Sequence, residues 1–134
     1  MVRRSLQVAL AVALLTFGGC SDNKEDPAIA AVCQTREQTQ SAVDNSKPVS
    51  IEQYPEVIKG LEAAIEVAPN DIRDDFVVVH DVLKPFVDAL VKAGGDTNVA
   101  AQDPGYAAIV DAVGTNKATA AGQHIQDYYS DHCG

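Results

Sequence analysis

Apolar residues recur every three or four positions along most of the chain after residue 26, which is the spacing of one face of an α-helix. No segment alternates apolar and polar residues over a useful length, and no Asn-Gly or Asp-Gly pair marks a β-hairpin. Amphipathic helices with one apolar stripe each pack together as a bundle. The pattern therefore predicts an all-α domain, a small bundle of about five helices. The stripes are Ile29, Val32, Cys33, Arg36, Gln40 and Val43; Tyr54, Val57, Ile58, Leu61, Ile65 and Ala68; Ile72, Phe76, Val79, Leu83, Phe86 or Val87, and Leu90; Tyr106, Ile109, Val110 and Val113; and Ala118, Ala121, Ile125, Tyr128, Tyr129 and His132.

Capping residues and prolines set the expected helix boundaries. Asp26 followed by Pro27 indicates a helix start, because aspartate accepts hydrogen bonds from the first amides and proline suits the first helical position. Residues 50–53 form a candidate capping box ahead of the second helix. Pro85 falls inside the third and longest stripe, and because the stripe continues beyond it, we expect a kink rather than a break. Residues 96–102 are predicted to form a polar loop.

Residues 1–19 have the composition of an export signal. A pair of arginines at 3–4 precedes an apolar run at 6–15, which is shorter than the roughly 20 residues that a transmembrane helix needs. The run leads into residues 17–20, Phe-Gly-Gly-Cys, which resemble the lipobox of bacterial lipoproteins. The alternative is an ordinary secreted protein that is cut nearby and keeps Cys20 as a leftover thiol.

The resemblance to bacterial lipoproteins implies a division of the chain and a location. Residues 1–19 would be a signal peptide that is removed, and Cys20 would become the new N-terminus, lipidated with fatty-acyl chains such as palmitate. Residues 20–26 are polar and charged, so they would be a tether. Residues 27–134 would be the helical-bundle domain. The membrane is then a partner through the lipid on Cys20, and the domain lies at the extracytoplasmic face of the cell membrane.

The chain is acidic, with a formal net charge of −9 at pH 7. Removal of the leader would take away two arginines and no acidic residue, so the mature domain would be more acidic still. Nucleic acids and anionic lipid surfaces attract basic proteins, so the charge disfavours both as direct partners. Acidity alone implies solubility and names no partner.

The two other cysteines, Cys33 and Cys133, stand near the two ends of the domain. In an exported chain, an even pair of cysteines predicts a disulfide. This bond would join the first helix to the last. Metal ligation and redox chemistry are the alternatives, but no second cysteine lies close in sequence to either one.

The mature region is also similar to small, uncharacterised lipoproteins and secreted helical proteins of actinobacteria. The shared features are a cysteine early in the first helix, an Ala-Pro step at Ala68 and Pro69, and the ending Tyr-Tyr-Ser-Asp-His-Cys-Gly at 128–134. This similarity implies a helical fold and an envelope location, and it implies no site residues.

Arg36 is the candidate site residue, because it interrupts an otherwise apolar or neutral stripe and must find a carboxylate or helix carbonyls. In one interpretation it lies along the bundle with its guanidinium at the rim. In the other it binds an anion in a pocket between helices, together with Tyr54 or Tyr106. His124 and His132 share a helical face but stand two turns apart, too far to share one metal ion.

The function predicted from these features is non-enzymatic. No nucleophile elbow and no phosphate-binding glycine loop is present, so we expect no enzyme, no cofactor and no metal. The first hypothesis is a cell-envelope lipoprotein that acts as an interaction module for another envelope protein. The alternative is a carrier or sensor that holds a small apolar ligand between its helices.

Overall fold

The computed structural model describes residues 26–43 and 50–134. Within these ranges the chain is helical and contains no strand, which confirms the all-α prediction. The predicted signal peptide, the lipidation at Cys20 and the tether before Asp26 lie outside the described residues. The helices are α1, Pro27–Ala42; α2, Tyr54–Val67, preceded by a 3-10 turn at Ile51–Gln53; α3, Asn70–Lys92; α4, Thr97–Ala100; α5, Tyr106–Val113; and α6, Asn116–His132.

The four long helices form a bundle with one weak seam. Helix α1 packs on α2, α2 packs on α3, and α3 packs extensively on α6. Helix α6 lies beside α1, but these two helices contact each other at few points, and we call this α1–α6 interface the weak seam. The short helices α4 and α5 pack on α3. The bundle is therefore well closed along three seams and open along much of the fourth, between α1 and α6.

The core lies where all four long helices converge, and its centre is apolar. Phe76 of α3 and Val32 of α1 are the largest fully buried side chains in the part of the chain that the structure describes. Ile125 and Tyr128 of α6 pack into the same cluster, with Ala64, Ala68 and Ile72. Burial of such side chains is the main favourable term that stabilises the bundle.

A disulfide joins Cys33 of α1 to Cys133 at the end of α6, with the two Cα atoms 5.4 Å apart. This confirms the prediction that the bond ties the first helix to the last. Because α1 and α6 make few other contacts, the bond is the principal link across the weak seam.

The observed helix boundaries agree with the capping signals except at one place. The Asp26 carboxylate accepts a hydrogen bond from the Ala28 amide at 2.9 Å, and α3 continues through Pro85 without a break. Residues 97–100, predicted as loop, form the one-turn helix α4 instead. The Asp96 carboxylate accepts a hydrogen bond from the backbone N–H of Asn98 at 2.8 Å and so caps this turn. The described chain therefore has six α-helices, one more than expected.

Gly60 allows α1 and α2 to approach closely. A Cβ atom at this position would overlap the Thr39 side chain of α1. Rotation of Thr39 away from this position would break the hydrogen bond that its hydroxyl donates to the Thr35 carbonyl at 2.8 Å. Glycine inside a helix costs about 1 kcal/mol relative to alanine. The close packing of α1 on α2 therefore requires glycine at position 60, despite this loss of helix stability.

Candidate functional site

A large cavity lies at the weak seam, and we call it the α1–α6 groove. Its volume is about 660 Å³. Arg36 and Thr39 of α1 form one side, and Gln126 and Tyr129 of α6 form the other. Because α1 and α6 are tied at the disulfide but contact each other little elsewhere, the space between them is not filled by side chains.

The floor of the groove is apolar and comes from three helices. Val57 and Leu61 of α2 and Val79 of α3 are its partly exposed side chains, and the buried Phe76 of α3 and Ile125 of α6 lie directly beneath them. Phe76 and Ile125 also belong to the core, so the floor is the outer surface of the packed interior. An apolar molecule in the groove would therefore continue the hydrophobic core.

The threonines on the α1 side do not offer their protons to a ligand. The Thr35 hydroxyl donates to the Val32 carbonyl at 2.7 Å, and the Thr39 hydroxyl donates to the Thr35 carbonyl at 2.8 Å. On the α6 side, Gln126 and Ser130 are four residues apart and thus on one face of the helix. Both are exposed at the opening of the groove, where they can donate hydrogen bonds.

Arg36 reaches the α6 side of the groove. Its guanidinium carbon lies 4.9 Å from the centroid of the Tyr129 ring, within the range of a cation–π contact. In the described part of the chain Arg36 has no ion pair and no hydrogen bond to a side chain or carbonyl. The half-buried charge is therefore stabilised by an aromatic face rather than by a carboxylate.

Tyr129 is neutral at physiological pH. Burial raises the pKa of its phenol, and the Arg36 charge opposes this shift without cancelling it. A neutral ring retains the negative π-face that attracts the guanidinium. The ring also packs on Phe76, with the centroids 6.0 Å apart and the planes tilted by 59°. Tyr129 thus contacts both the Arg36 guanidinium and the apolar core.

The three residues predicted as a ligand site are not brought together. Arg36 does lie in a pocket between helices, as one of the two interpretations requires. Tyr54, at the start of α2, and Tyr106 do not line the groove. Tyr106 stacks on Phe86 instead, with the ring centroids 6.2 Å apart. Tyr129, placed in the core stripe by its spacing, takes the position beside Arg36.

The chain matches no known family model, no curated protein and no solved structure. The properties of the α1–α6 groove are therefore the basis for assigning a function to this chain.

Gly122 is a groove residue that periodicity does not reveal. It lies within α6 and lines the groove, and a Cβ atom added there would meet nothing within 4 Å. No close helix contact requires this glycine, in contrast to Gly60. A glycine in the interior of a helix is unfavourable. The presence of glycine within two predicted helices is therefore the sequence feature that could have indicated Gly60 and Gly122 as unusual positions.

Two of the three histidines lie beside carboxylates, and the third, His132, packs on the ring of Tyr128. His124 lies 3.4 Å from a carboxylate oxygen of Asp75, and His80 lies 3.3 Å from Glu62 and 3.1 Å from Asp81. Across residues 26–43 and 50–134, no group of three or more histidine, cysteine or acidic side chains has a geometry that could hold a metal ion. None of the helices described is both long and apolar enough to cross a membrane.

Proposed function

We propose that this chain is a non-enzymatic binding protein of the cell envelope, held by a lipid at the extracytoplasmic face of the membrane, and that the α1–α6 groove carries a small apolar ligand. The observation that supports this proposal is the groove itself, with its volume of about 660 Å³ and its apolar floor. Ligand sites in proteins typically have volumes of about 300–1,000 Å³ and are mostly apolar.

The anchor follows from the lipobox resemblance at residues 17–20. A diacylglycerol on Cys20 would hold the domain at the membrane surface, since two acyl chains anchor firmly. Cys20 is only six positions before Asp26, where the described bundle begins. The groove would therefore operate close to a source of apolar molecules, which is where a carrier or sensor of such molecules is useful.

The groove arises at a different place from the one that the carrier hypothesis first indicated. That hypothesis started from Pro85, because a kinked helix can splay from its neighbour. The α3 residues that line the groove are Phe76 and Val79, more than one turn before Pro85. The opening results instead from the limited contact between α1 and α6.

Filling the groove tests the proposal. Gly122→Leu would project a side chain into the open space, and leucine favours a helix more than glycine does, so the variant is expected to fold at least as stably as the original. Photolabelling of the acylated protein in lipid nanodiscs, using a neutral long-chain alcohol with a diazirine, would measure occupancy. We expect Gly122→Leu to reduce the labelling of peptides from α1 and α6 by about tenfold.

Ala120→Leu is the matched control, because Ala120 is an exposed residue of the same helix and does not line the groove. Its labelling should equal that of the unmodified protein. Equal labelling of the Gly122→Leu variant, or label confined to peptides outside the groove, would contradict the proposal.

The interaction-module hypothesis remains a second candidate, and one observation favours it. Val91, Val99 and Val110 are between 43% and 48% exposed, and they are the exposed large apolar side chains of the described residues. They belong to α3, α4 and α5, away from the groove. If these exposed valines contact an envelope protein, chemical crosslinking on intact cells should recover that neighbour through peptides of α3, α4 and α5. Recovery of no neighbour would remove this candidate.

A further inference from the structure

We infer that the ligand of the α1–α6 groove is an amphiphile with an anionic headgroup, and that Arg36 binds this headgroup while the apolar floor holds the tail. The inference rests on the proposed function and adds the chemical class of the ligand. A carboxylate and a phosphate ester share the required chemistry, since both accept paired hydrogen bonds from a guanidinium.

The charged side chain of the groove has the opposite sign to the net charge of the chain. The protein has 19 acidic residues and a formal net charge of −9. No side chain among the described residues that line the groove is acidic, and Arg36 carries the only positively charged side chain among them. The net charge of the protein therefore repels an anion, whereas Arg36 attracts one in a groove that has no acidic side chain.

Arg36 differs from the other partly buried cations of the described chain. The Lys84 ammonium lies 3.0 Å from an Asp88 carboxylate oxygen, and the Arg73 guanidinium donates to the Ala68 carbonyl at 2.6 Å. Arg36 has the Tyr129 ring and no such partner. Partial burial of a charge without a counter-ion is unfavourable, so a bound anion would supply the interaction that the protein itself does not.

The contact with Tyr129 leaves the donors of Arg36 available. A cation–π contact uses the aromatic face, whereas the five N–H groups of a guanidinium point outward in its own plane. Gln126 and Ser130, which line the same groove from α6, can donate further hydrogen bonds to the headgroup. Tyr129 therefore positions the guanidinium, and the remaining polar groups complete a receptor for an anion.

The apolar floor of the groove indicates that the part of the ligand beyond the headgroup is apolar. Leu61 and Val79 are partly exposed in the same groove as Arg36, so a molecule that contacts both the apolar side chains and the guanidinium must be charged at one end and apolar along the rest. A fully apolar ligand would leave the guanidinium unpaired, and an inorganic anion would leave the floor in contact with water. An anionic amphiphile would pair its headgroup with Arg36 and cover the apolar floor with its tail.

Substitution of Arg36 by glutamine tests this inference in the acylated protein in nanodiscs. Three diazirine probes of equal chain length are compared: a fatty acid, an alkyl phosphate and the neutral alcohol. Because a hydrogen bond to a charged group contributes more than a neutral one, we expect Arg36→Gln to reduce groove labelling by the anionic probes by roughly 10- to 100-fold. Labelling by the alcohol should change by less than about twofold. The anionic probe that loses more labelling identifies the headgroup.

Lys117→Gln is the matched control, since it also removes one positive charge from the protein, at an exposed position of α6 outside the groove. It should leave labelling by all three probes unchanged. If Arg36→Gln and Lys117→Gln behave alike, or if Arg36→Gln reduces alcohol labelling as much as anion labelling, the inference is overturned while the groove function stands. If no probe labels the groove in the original protein, both the inference and the proposed function fail.

Discussion

Replacement of Cys33 and Cys133 together by serine is expected to lower the free energy of unfolding by about 2–5 kcal/mol. The two residues are 100 positions apart, so the bond restricts most of the unfolded domain. Whole domains are stable by only about 5–15 kcal/mol, which makes this a large fraction of the total. Chemical denaturation followed by circular dichroism would measure the change.

The disulfide variant should also affect the groove. Helix α1 would then be held mainly by α2, because it contacts α6 at few points. Hydrogen exchange is expected to rise first in α1, and photolabelling of the groove should fall because its two sides are no longer tied. The original protein treated with a reducing agent is the control and should match the variant. A loss of less than about 0.5 kcal/mol would show that packing alone joins the ends of the bundle.

Phe76→Ala is expected to cost about 3–5 kcal/mol of stability. The side chain is fully buried in the first half of α3, where it packs in the cluster that contains Val32 and Ile72 and against the ring of Tyr129. Truncation removes this apolar contact and leaves a cavity directly beneath the groove floor. Thermal and chemical denaturation of the variant would measure the loss.

Phe86→Ala is the matched control for this prediction, because it makes the same substitution in the same helix. Phe86 is only partly buried and packs on Tyr106 outside the main core. Less apolar area is exposed on truncation, so we expect a cost of about 1–2 kcal/mol. Equal costs for the two variants would mean that the convergence of the long helices is not the centre of stability.

Local signals in the sequence were sufficient for most of the fold. The three- and four-residue spacing predicted five of the six observed α-helices, and Asp26 caps α1 as expected. The exception, α4, is a single turn that is too short to show a period. Its formation depends on one hydrogen-bonding side chain, Asp96, at a position that also suits a loop.

The candidate site was predicted in part. Arg36 could be recognised because a cation on a core-facing stripe is unusual, and it does lie between helices. Its aromatic neighbour could not be predicted in the same way, since Tyr54, Tyr106 and Tyr129 are all plausible partners until the helix neighbours are known. The adjacent tyrosines of α6 face different surroundings: Tyr128 is buried in the core, and Tyr129 contacts Arg36.

The sequence by itself determined the helices, their apolar faces and the bond between Cys33 and Cys133, because periodicity, caps and paired cysteines are local or compositional properties. Only the tertiary structure decided that α1 and α6 adjoin without closing, and that Arg36, Tyr129 and an apolar floor meet in the space between them. The physical reason is that a stripe specifies which face of a helix is buried but not which helix covers it or how completely. The groove exists because α1 and α6 do not completely cover the apolar surface between them.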